Sequence, residues 1–388
     1  MSEVRVNNLT NENNTGGPTI SGITTYSGRH FFVPPVGDTA SRPEDCEPGS
    51  LRFNTDSAHL EYFRGNTIGW TEIEASSPEL GGGTSSSNQN ALGARAIAGG
   101  GFLGIRTIEF VTVSTFGDSQ DFGDLTAAGA IHGKQAVSTE TRMLFSGGYI
   151  NNAIEFITVA TTGDSIDFGD MTIRRYGETG VNDTVRGILG GGGSTTPFVP
   201  SHNGVTNVID YVTIAQTGNA VDFGDLVHTG FPGASMNSTT RGIIARQNGP
   251  VGPNAIMDTI ITRTLGNAID FGDCLGATGS NVAGGACSAT RGVLAGGYLH
   301  NIIQFITMAT LGDSIDFGDL LSTQNNLRAA SSKTRGIFAG GHNGSTNTNT
   351  IESLQIATTG NSVDFGDMAY VGGDVGQITF NSNAHGGI

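Results

Sequence analysis

The sequence predicts an all-β chain in which units of about four strands repeat, the plan of a β-propeller. Three observations carry this: a tetrapeptide that recurs six times at a nearly constant period, segments that read as strand throughout, and a composition suited to tight turns. Asp-Phe-Gly-Asp begins at Asp121, Asp167, Asp222, Asp270, Asp316 and Asp364, at spacings of 46, 55, 48, 46 and 48 residues. Self-similarity at such a period marks solenoids and propellers, and a four-stranded blade takes roughly 40–50 residues. Glycine accounts for 61 of 388 residues and charged residues for only 14%. Coiled coils and acidic disordered chains carry far more charge. No segment combines a helical period with caps, and no apolar run approaches the roughly 18 residues of a membrane span.

Each unit reads in the same order. A small-residue strand such as Gly233–Ser238 comes first. A strand opened by arginine follows (Arg95, Arg142, Arg186, Arg241, Arg291, Arg335), usually ending in Gly-Gly. The third strand carries an acid near its start, at Glu109, Glu155, Asp210, Asp258 and Glu352. A Thr-Gly-Asp/Asn turn leads into the fourth, which bears Phe122, Phe168, Phe223, Phe271, Phe317 or Phe365 inside the tetrapeptide. The third strands are rich in Ile, Val, Thr and Phe and bounded by Gly, Asn and Asp, the signature of β structure. In Ile154–Ala160 both pleat faces are apolar, as in a strand covered on both sides. The recurring Phe is expected to pack between neighbouring units.

This order resembles the kelch-repeat plan over residues 93–388, with Phe where kelch repeats usually carry Trp. The resemblance implies a kelch-like propeller of six blades, with seven as the alternative. The C-terminal segments Gly376–Asn381 and Asn383–Ile388 read as one more first and second strand. Pairing the C-terminal strand into the first blade would close the ring without leaving an exposed edge.

Residues 1–80 hold no repeat. They contain Arg42-Pro43, then Gly49-Ser-Leu-Arg-Phe-Asn-Thr-Asp56, Leu60-Glu-Tyr-Phe63 and Trp70-Thr-Glu-Ile73, which read as three short strands. Residues 81–92 fall in a Gly/Ser linker with Gly81-Gly-Gly83 and Ser85-Ser-Ser87. The Arg-Pro to Trp pattern resembles a module of tail-fibre and other structural proteins of tailed bacteriophages, notably those of marine cyanobacteria. The Asp-Phe-Gly-Asp repeats resemble those of such proteins too. Together the resemblances span nearly the whole chain. They imply a virion protein made in the host cytoplasm. Residues 1–80 would anchor it to other virion proteins and assemble it as a homo-oligomer, a trimer favoured, because so short a set of strands makes a marginal core alone.

The chemistry the sequence excludes is broad. A net charge of −16, with lysine only at Lys134 and Lys333, argues against a nucleic-acid surface. The N-terminus lacks an apolar signal core, so cytosolic synthesis with reduced thiols is expected. Cys46, Cys274 and Cys287 are too few and scattered for a disulfide framework. Acidic triplets such as Asp164-x-x-Asp167-x-x-Asp170 have the oxygen density of a Ca²⁺ site. The plainer reading is that Asp or Asn caps its own turn. The others then meet backbone amides or the recurring arginine, as Arg291 with Asp270 or Asp316. A glycosidase pair needs two carboxylates in different surroundings, and six near-identical copies do not supply them. Gly190-Gly-Gly-Gly193 is followed by no Gly-Lys-Ser/Thr, so it is no phosphate loop. The expectation is therefore a non-enzymatic chain with no cofactor, no metal and no membrane insertion.

The loop between the second and third strands varies in every unit, while the Thr-Gly-Asp/Asn turn scarcely changes. Variable loops on a rigid scaffold are where binding resides. The binding residues expected there are Tyr149, Phe198, His202, Tyr298, His300 and His342, aromatic and imidazole groups suited to stacking on sugars. The function expected is a tail-fibre-like adhesin that attaches to a host-surface glycan. The alternatives are a decoration protein of capsid, neck or tail, and a polysaccharide-degrading fibre.

Overall fold

The computed structural model describes residues 34–44, 46–57, 59–73, 94–100, 105–126, 134–148, 151–194, 204–249, 252–253, 255–275, 284–297, 300–369 and 379–382. The chain divides into two units, Met1–Ser76 and Ser77–Ile388. All regular structure among the described residues is β, apart from one 3₁₀ turn at Thr39–Ser41.

The first unit is a four-stranded sheet. Val36–Gly37 runs parallel to Leu51–Asn54, and His59–Phe63 and Trp70–Ile73 follow as antiparallel neighbours. Its centre is polar. Glu61 is fully buried and accepts from Arg42 Nη2 at 2.6 Å and Nε at 3.0 Å, and from Asn54 Nδ2 at 3.3 Å. Arg52 Nε stands 3.5 Å from the same carboxylate, and its Nη2 donates to Asp38 O. Trp70 Nε1 donates to Pro43 O, and its ring lies 5.5 Å from that of Phe63. Within the Arg-Pro to Trp motif, the buried Glu61 carboxylate is tolerated because it is paired with Arg42 and Arg52.

In the second unit six antiparallel sheets of four main strands follow one another among the described residues. In order of first to fourth strand, the second sheet is Gln135–Ser138, Arg142–Ser146, Ala153–Thr158 and Ile166–Asp170. The third is Thr179–Asn182, Arg186–Gly190, Val208–Thr213 and Val221–Asp225. The fourth is Phe231–Asn237, Arg241–Gly249, Ile256–Ile261 and Ile269–Asp273, with the short Gly252–Pro253 added beside the second strand. The fifth is Gly284–Cys287, Arg291–Ala295, His300–Thr307 and Ile315–Gln324. The sixth is Arg328–Ser331, Arg335–Ala339, Thr350–Gln355 and Val363–Asp367. The first sheet takes its first strand from the far end of the chain: Thr379–Ser382 pairs with Arg95–Gly99, and Thr107–Thr112 and Gln120–Asp124 complete it. Residues 383–388, expected as a further strand, lie outside the described residues.

Neighbouring sheets are tied by one device used six times. The glycine of each turn between third and fourth strands donates its N–H to the carbonyl of the Phe in the preceding sheet's Asp-Phe-Gly-Asp. Gly163 donates to Phe122, Gly218 to Phe168, Gly266 to Phe223, Gly312 to Phe271 and Gly360 to Phe317, and Gly117 returns to Phe365. These bonds are 2.7–2.9 Å long. Two residues on, a second amide reaches the carbonyl of the closing Asp, as Ser165 to Asp124 and Ser119 to Asp367. That Asp's own N–H donates to the turn side chain: Asp164, Asn219, Asn267, Asp313, Asn361 or Asp118, at 2.9–3.1 Å. The fourth strand would otherwise be an open edge, and the next sheet's turn covers it. The first strands also neighbour one another in sequence, and the sixth sheet's first strand lies beside that of the first sheet.

A bulge in each pairing of third with fourth strand, at Ile154/Glu155 and its five equivalents, leaves Phe168 and its counterparts opposite no residue. The freed rings turn inward between sheets. Phe122 packs with Ala136, Met143 and Phe145 of the second sheet, and Phe365 with Ala94, Ala96 and Val111 of the first. Each buried ring contributes roughly 2–3 kcal/mol.

The recurring arginines do not pair with aspartates as expected. Arg291 Nη1 donates to Ile356 O and Ala357 O of the next sheet, not to Asp270 or Asp316, and its guanidinium lies 4.3 Å from the centroid of the Phe305 ring. Arg95, Arg142, Arg186, Arg241 and Arg335 reach Val159, Ile214, Thr262, Met308 and Val113 O in the same way. A carbonyl just past a strand end has a free lone pair, and for Arg95, Arg142, Arg186, Arg291 and Arg335 an aromatic face completes the cation's surroundings. The first Asp of each tetrapeptide (Asp121, Asp167, Asp222, Asp270, Asp316, Asp364) stays exposed instead.

Gly169 has φ +148°, and a Cβ there would stand 2.5 Å from Gly218 O. Gly169→Ala is therefore expected to destabilise the chain by about 2–4 kcal/mol in chemical denaturation, while Ile166→Ser, at a side chain that is 60% exposed, should change stability by no more than about 0.5 kcal/mol.

Candidate functional site

Each sheet has two unlike ends. The turns between first and second strands and between third and fourth strands lie at one end and carry the ties just described. The loops between second and third strands emerge at the other, together with the connections from each fourth strand to the next sheet. The variable loops of the sequence all belong to this loop end.

Of the six expected binding residues, Tyr149, Phe198, His202 and Tyr298 lie outside the described residues. The other two are brought close together. His300 opens the third strand of the fifth sheet and pairs with Gln324, at the end of that sheet's long fourth strand. His342, 42 residues later, bridges to the adjacent Asn325, its N–H donating to Asn325 O at 2.9 Å. His342 Nδ1 accepts from Gly344 N at 3.0 Å, which leaves Nε2 as the proton-bearing nitrogen when the ring is neutral. Gln324 is buried and accepts from Thr348 Oγ1. The connection between the fifth and sixth sheets thus carries both histidines, half-buried, at its rim.

The acid of each third strand proves to be a buried structural acceptor. Glu352 takes Leu321 N at 3.0 Å and the Ser362 hydroxyl, Glu109 takes Ala369 N and the Ser119 hydroxyl, and Asp258 takes Val227 N. Every one of these amides follows the Asp-Phe-Gly-Asp of the preceding sheet. In the fifth sheet Gln304 does the same work, accepting from Leu275 N at 2.7 Å. Position and acceptor matter here more than charge.

In two sheets the acid keeps a partner after the preceding tetrapeptide, Thr172 N and Oγ1 for Asp210 and Thr126 Oγ1 for Glu155, and gains a buried cation as well. Lys134, fully buried, stands 3.1 Å from Glu155. Arg175 is also fully buried: Nη2 meets Asp210 at 3.1 Å and Leu189 O at 3.0 Å, and Nη1 meets Val208 O at 2.8 Å. Close by, Glu178 accepts from Ser146 Oγ at 3.2 Å through Oε1, while its Oε2 is buried without a hydrogen-bond partner. Burial pushes the Glu178 carboxyl up to about 7, against the opposing pull of Arg175, its own backbone amide, Ser146 and Lys134. Arg328, opening the first strand of the sixth sheet, is pulled down to about 10 by burial, opposed by the charge of Glu178, and remains a cation at neutral pH. Sequence reasoning missed this cluster. Its only signal was that one of the two lysines falls between repeats.

Between the first strands lies a narrow cavity of about 30 Å³, lined by Gln135, Ser235, Asn237, Gly285, Arg328 and Asn381 among others. That is room for about two waters, not for an organic substrate. Among the described residues no group of three or more His, Cys, Asp and Glu is placed to hold a metal ion. The turn residue of each acidic triplet does not cap its own hairpin. It receives an amide of the neighbouring sheet, which Asn219, Asn267 and Asn361 do as well as Asp164. Cys274 is held up at about 12 by burial and by the charge of Asp273, so its thiol is inert. Neither a protein-family model nor a curated protein sequence matches the chain.

The cation beside Glu155 makes a sharp prediction. Lys134→Met should cost about 3–5 kcal/mol in thermal or chemical unfolding, because it strands a buried carboxylate. Adding Glu155→Gln should restore most of that loss, since Gln304 fills the equivalent place in the fifth sheet.

Proposed function

We propose that the second unit is a six-bladed, kelch-like β-propeller, and that the chain is a non-enzymatic virion protein of a tailed phage, a tail-fibre-like adhesin. Its loop end would meet a host-surface glycan. The N-terminal unit would dock on other virion proteins and assemble the chain as a homo-oligomer, a trimer favoured. The blade reading is supported by six successive four-stranded sheets whose ties run from each to the next and from the last to the first. The phage reading is supported by the resemblance of the Arg42–Trp70 motif and of the Asp-Phe-Gly-Asp repeats.

The observation that carries the adhesin reading is the contrast between the two ends. One end is nearly identical in every repeat, and its backbone groups are engaged between sheets. The other changes in length and content six times on the same scaffold, and the rim formed by His300 and His342 belongs to it. Aromatic and imidazole groups on ordered loops bury sugar C–H surface at small entropic cost. Each contact would be weak, so attachment would depend on several copies per particle. A pI near 4.7 disfavours gripping a polyanion by charge alone.

One observation favours the second reading, a decoration protein of capsid, neck or tail. The residue before the tetrapeptide is aliphatic in five of six repeats, and all five side chains are more than half exposed: Ile166, Val221, Ile269, Ile315 and Val363. Phe116 joins them at 58% exposure. All lie at the turn end, so a chain that served by packing against other virion proteins would use this end.

One experiment separates the readings. Free protein added in excess should block adsorption of the phage to its host. The triple variant Tyr298→Ala, His300→Ala, His342→Ala should lose at least about tenfold of that blocking power, with the melting temperature lowered by only a few degrees. Unchanged blocking by this variant, with loss in Ile166→Asp, Ile269→Asp, Ile315→Asp, would transfer the role to the turn end.

A further inference from the structure

We infer that Glu178 is a proton-operated latch: its neutral form holds the connection between the second and third sheets closed on the loop end, and its ionisation opens that connection. The short strand Arg175–Tyr176 in this connection pairs with Gly193–Ser194, the start of the third sheet's variable loop. Glu178 sits two residues beyond the pair, 1% exposed. Its backbone lies so close to Gly192, at φ +97°, that a Cβ there would stand 2.9 Å from Glu178 N and 3.1 Å from its Cα. Its carboxylate lies against Gly147 in the second sheet, leaving no room for a Cβ there. Gly148 N donates to Arg175 O at 3.2 Å, and the Tyr176 ring packs 5.5 Å from Phe231. Glu178 is thus wedged where the second sheet, the connection and the start of the loop meet.

The charged groups facing it are largely committed elsewhere. Arg175, in its own connection, is held by Asp210 and two carbonyls. Lys134, ahead of the second sheet, is held by Glu155. Arg328 approaches from the sixth sheet and feels the charge of Glu178. The carboxylate is met by its own backbone amide and, at Oε1, by the Ser146 hydroxyl, while Oε2 has no hydrogen-bond partner. A neutral carboxyl suits this setting. An anion there has one oxygen without a donor, a state that burial penalises and that opening to water relieves.

The carboxyl titrates near 7 when packed and near 4.5 when free. A raised folded value means that the packing is fully favourable below the free value and is lost as pH rises through the folded one. Between about pH 6 and about pH 8.5 the opening equilibrium should therefore rise about tenfold.

The test is hydrogen exchange of the full-length protein, read by mass spectrometry at those two pH values and corrected for the intrinsic rate. Peptides covering residues 175–178 and 191–194 should lose about tenfold in protection at the higher pH, while a peptide covering Arg335–Ala339 should not change. Glu178→Gln, uncharged at both values, should keep equal protection at the two. Equal protection of the wild-type peptides at both values overturns the proposal, and so does a tenfold loss that persists in Glu178→Gln. Should that variant not fold, the wild-type comparison decides alone, with a ¹³C titration of the Glu178 carboxyl near 4.5 as the second contrary result. None of these outcomes depends on a receptor.

Discussion

The glycine amide of each turn between third and fourth strands, donated to a phenylalanine carbonyl in the preceding sheet, is the contact on which the second unit is built. A four-stranded antiparallel sheet is marginal alone and exposes an edge on either side. Here one edge is laid beside other first strands, and the opposite edge is covered by the neighbour's turn. The close approach excludes a side chain at the glycine of Asp-Phe-Gly-Asp, as at Gly169 against Gly218. The same geometry puts the bulge beside it and sends the Phe between the sheets. Three hydrogen bonds, a buried ring and an arginine bound to a distant carbonyl therefore recur as one package. Each hydrogen bond is worth only about 1 kcal/mol net, so the package matters by repetition and by excluding water from the sheet edges.

The two ends of the sheets divide the work accordingly. The turn end is constrained at almost every backbone group, and its residue choices follow from that. The loop end is tied more sparsely, by amides such as Gly148 to Arg175 O and Gly192 to Gly230 O, and its loops vary in length and admit residues that break the repeat. Lys134, Arg175, Glu178 and Arg328 are all found there, in or beside connections between sheets. Two of these cations neutralise acids that elsewhere need only a backbone amide. Such buried charges cost desolvation without adding much stability, which is tolerable where a specific loop arrangement, not maximal stability, is what the fold must supply.

Much of this was legible in the sequence because repetition makes a one-position rule visible six times. The period, the strand order, the inward Phe and the strand borrowed from the far end of the chain could all be read. The alternation of Asp with Asn in the turns was a legible sign too, since it means that an acceptor is needed and a charge is not. What escaped were contacts between residues far apart in the chain. Arg335 and Val113 are separated by 222 positions, and nothing local in either marks the other as a partner. His300 and His342 share a rim only because one connection brings Gln324 and Asn325 between them. The cluster around Glu178 was invisible for the opposite reason: it departs from the repeat, so no second copy pointed to it.

The sixth sheet is tied to the first by the same device that ties the others. Gly117 and Ser119 donate to Phe365 and Asp367, as Gly163 and Ser165 donate to Phe122 and Asp124. Amide exchange followed by NMR on the full-length protein reads all four groups in one sample. A closed set of ties predicts that Gly117 and Ser119 are protected to the same degree as Gly163 and Ser165. Exchange of Gly117 and Ser119 near the rate of a free peptide, with Gly163 and Ser165 protected, would show an open row of sheets and contradict the account.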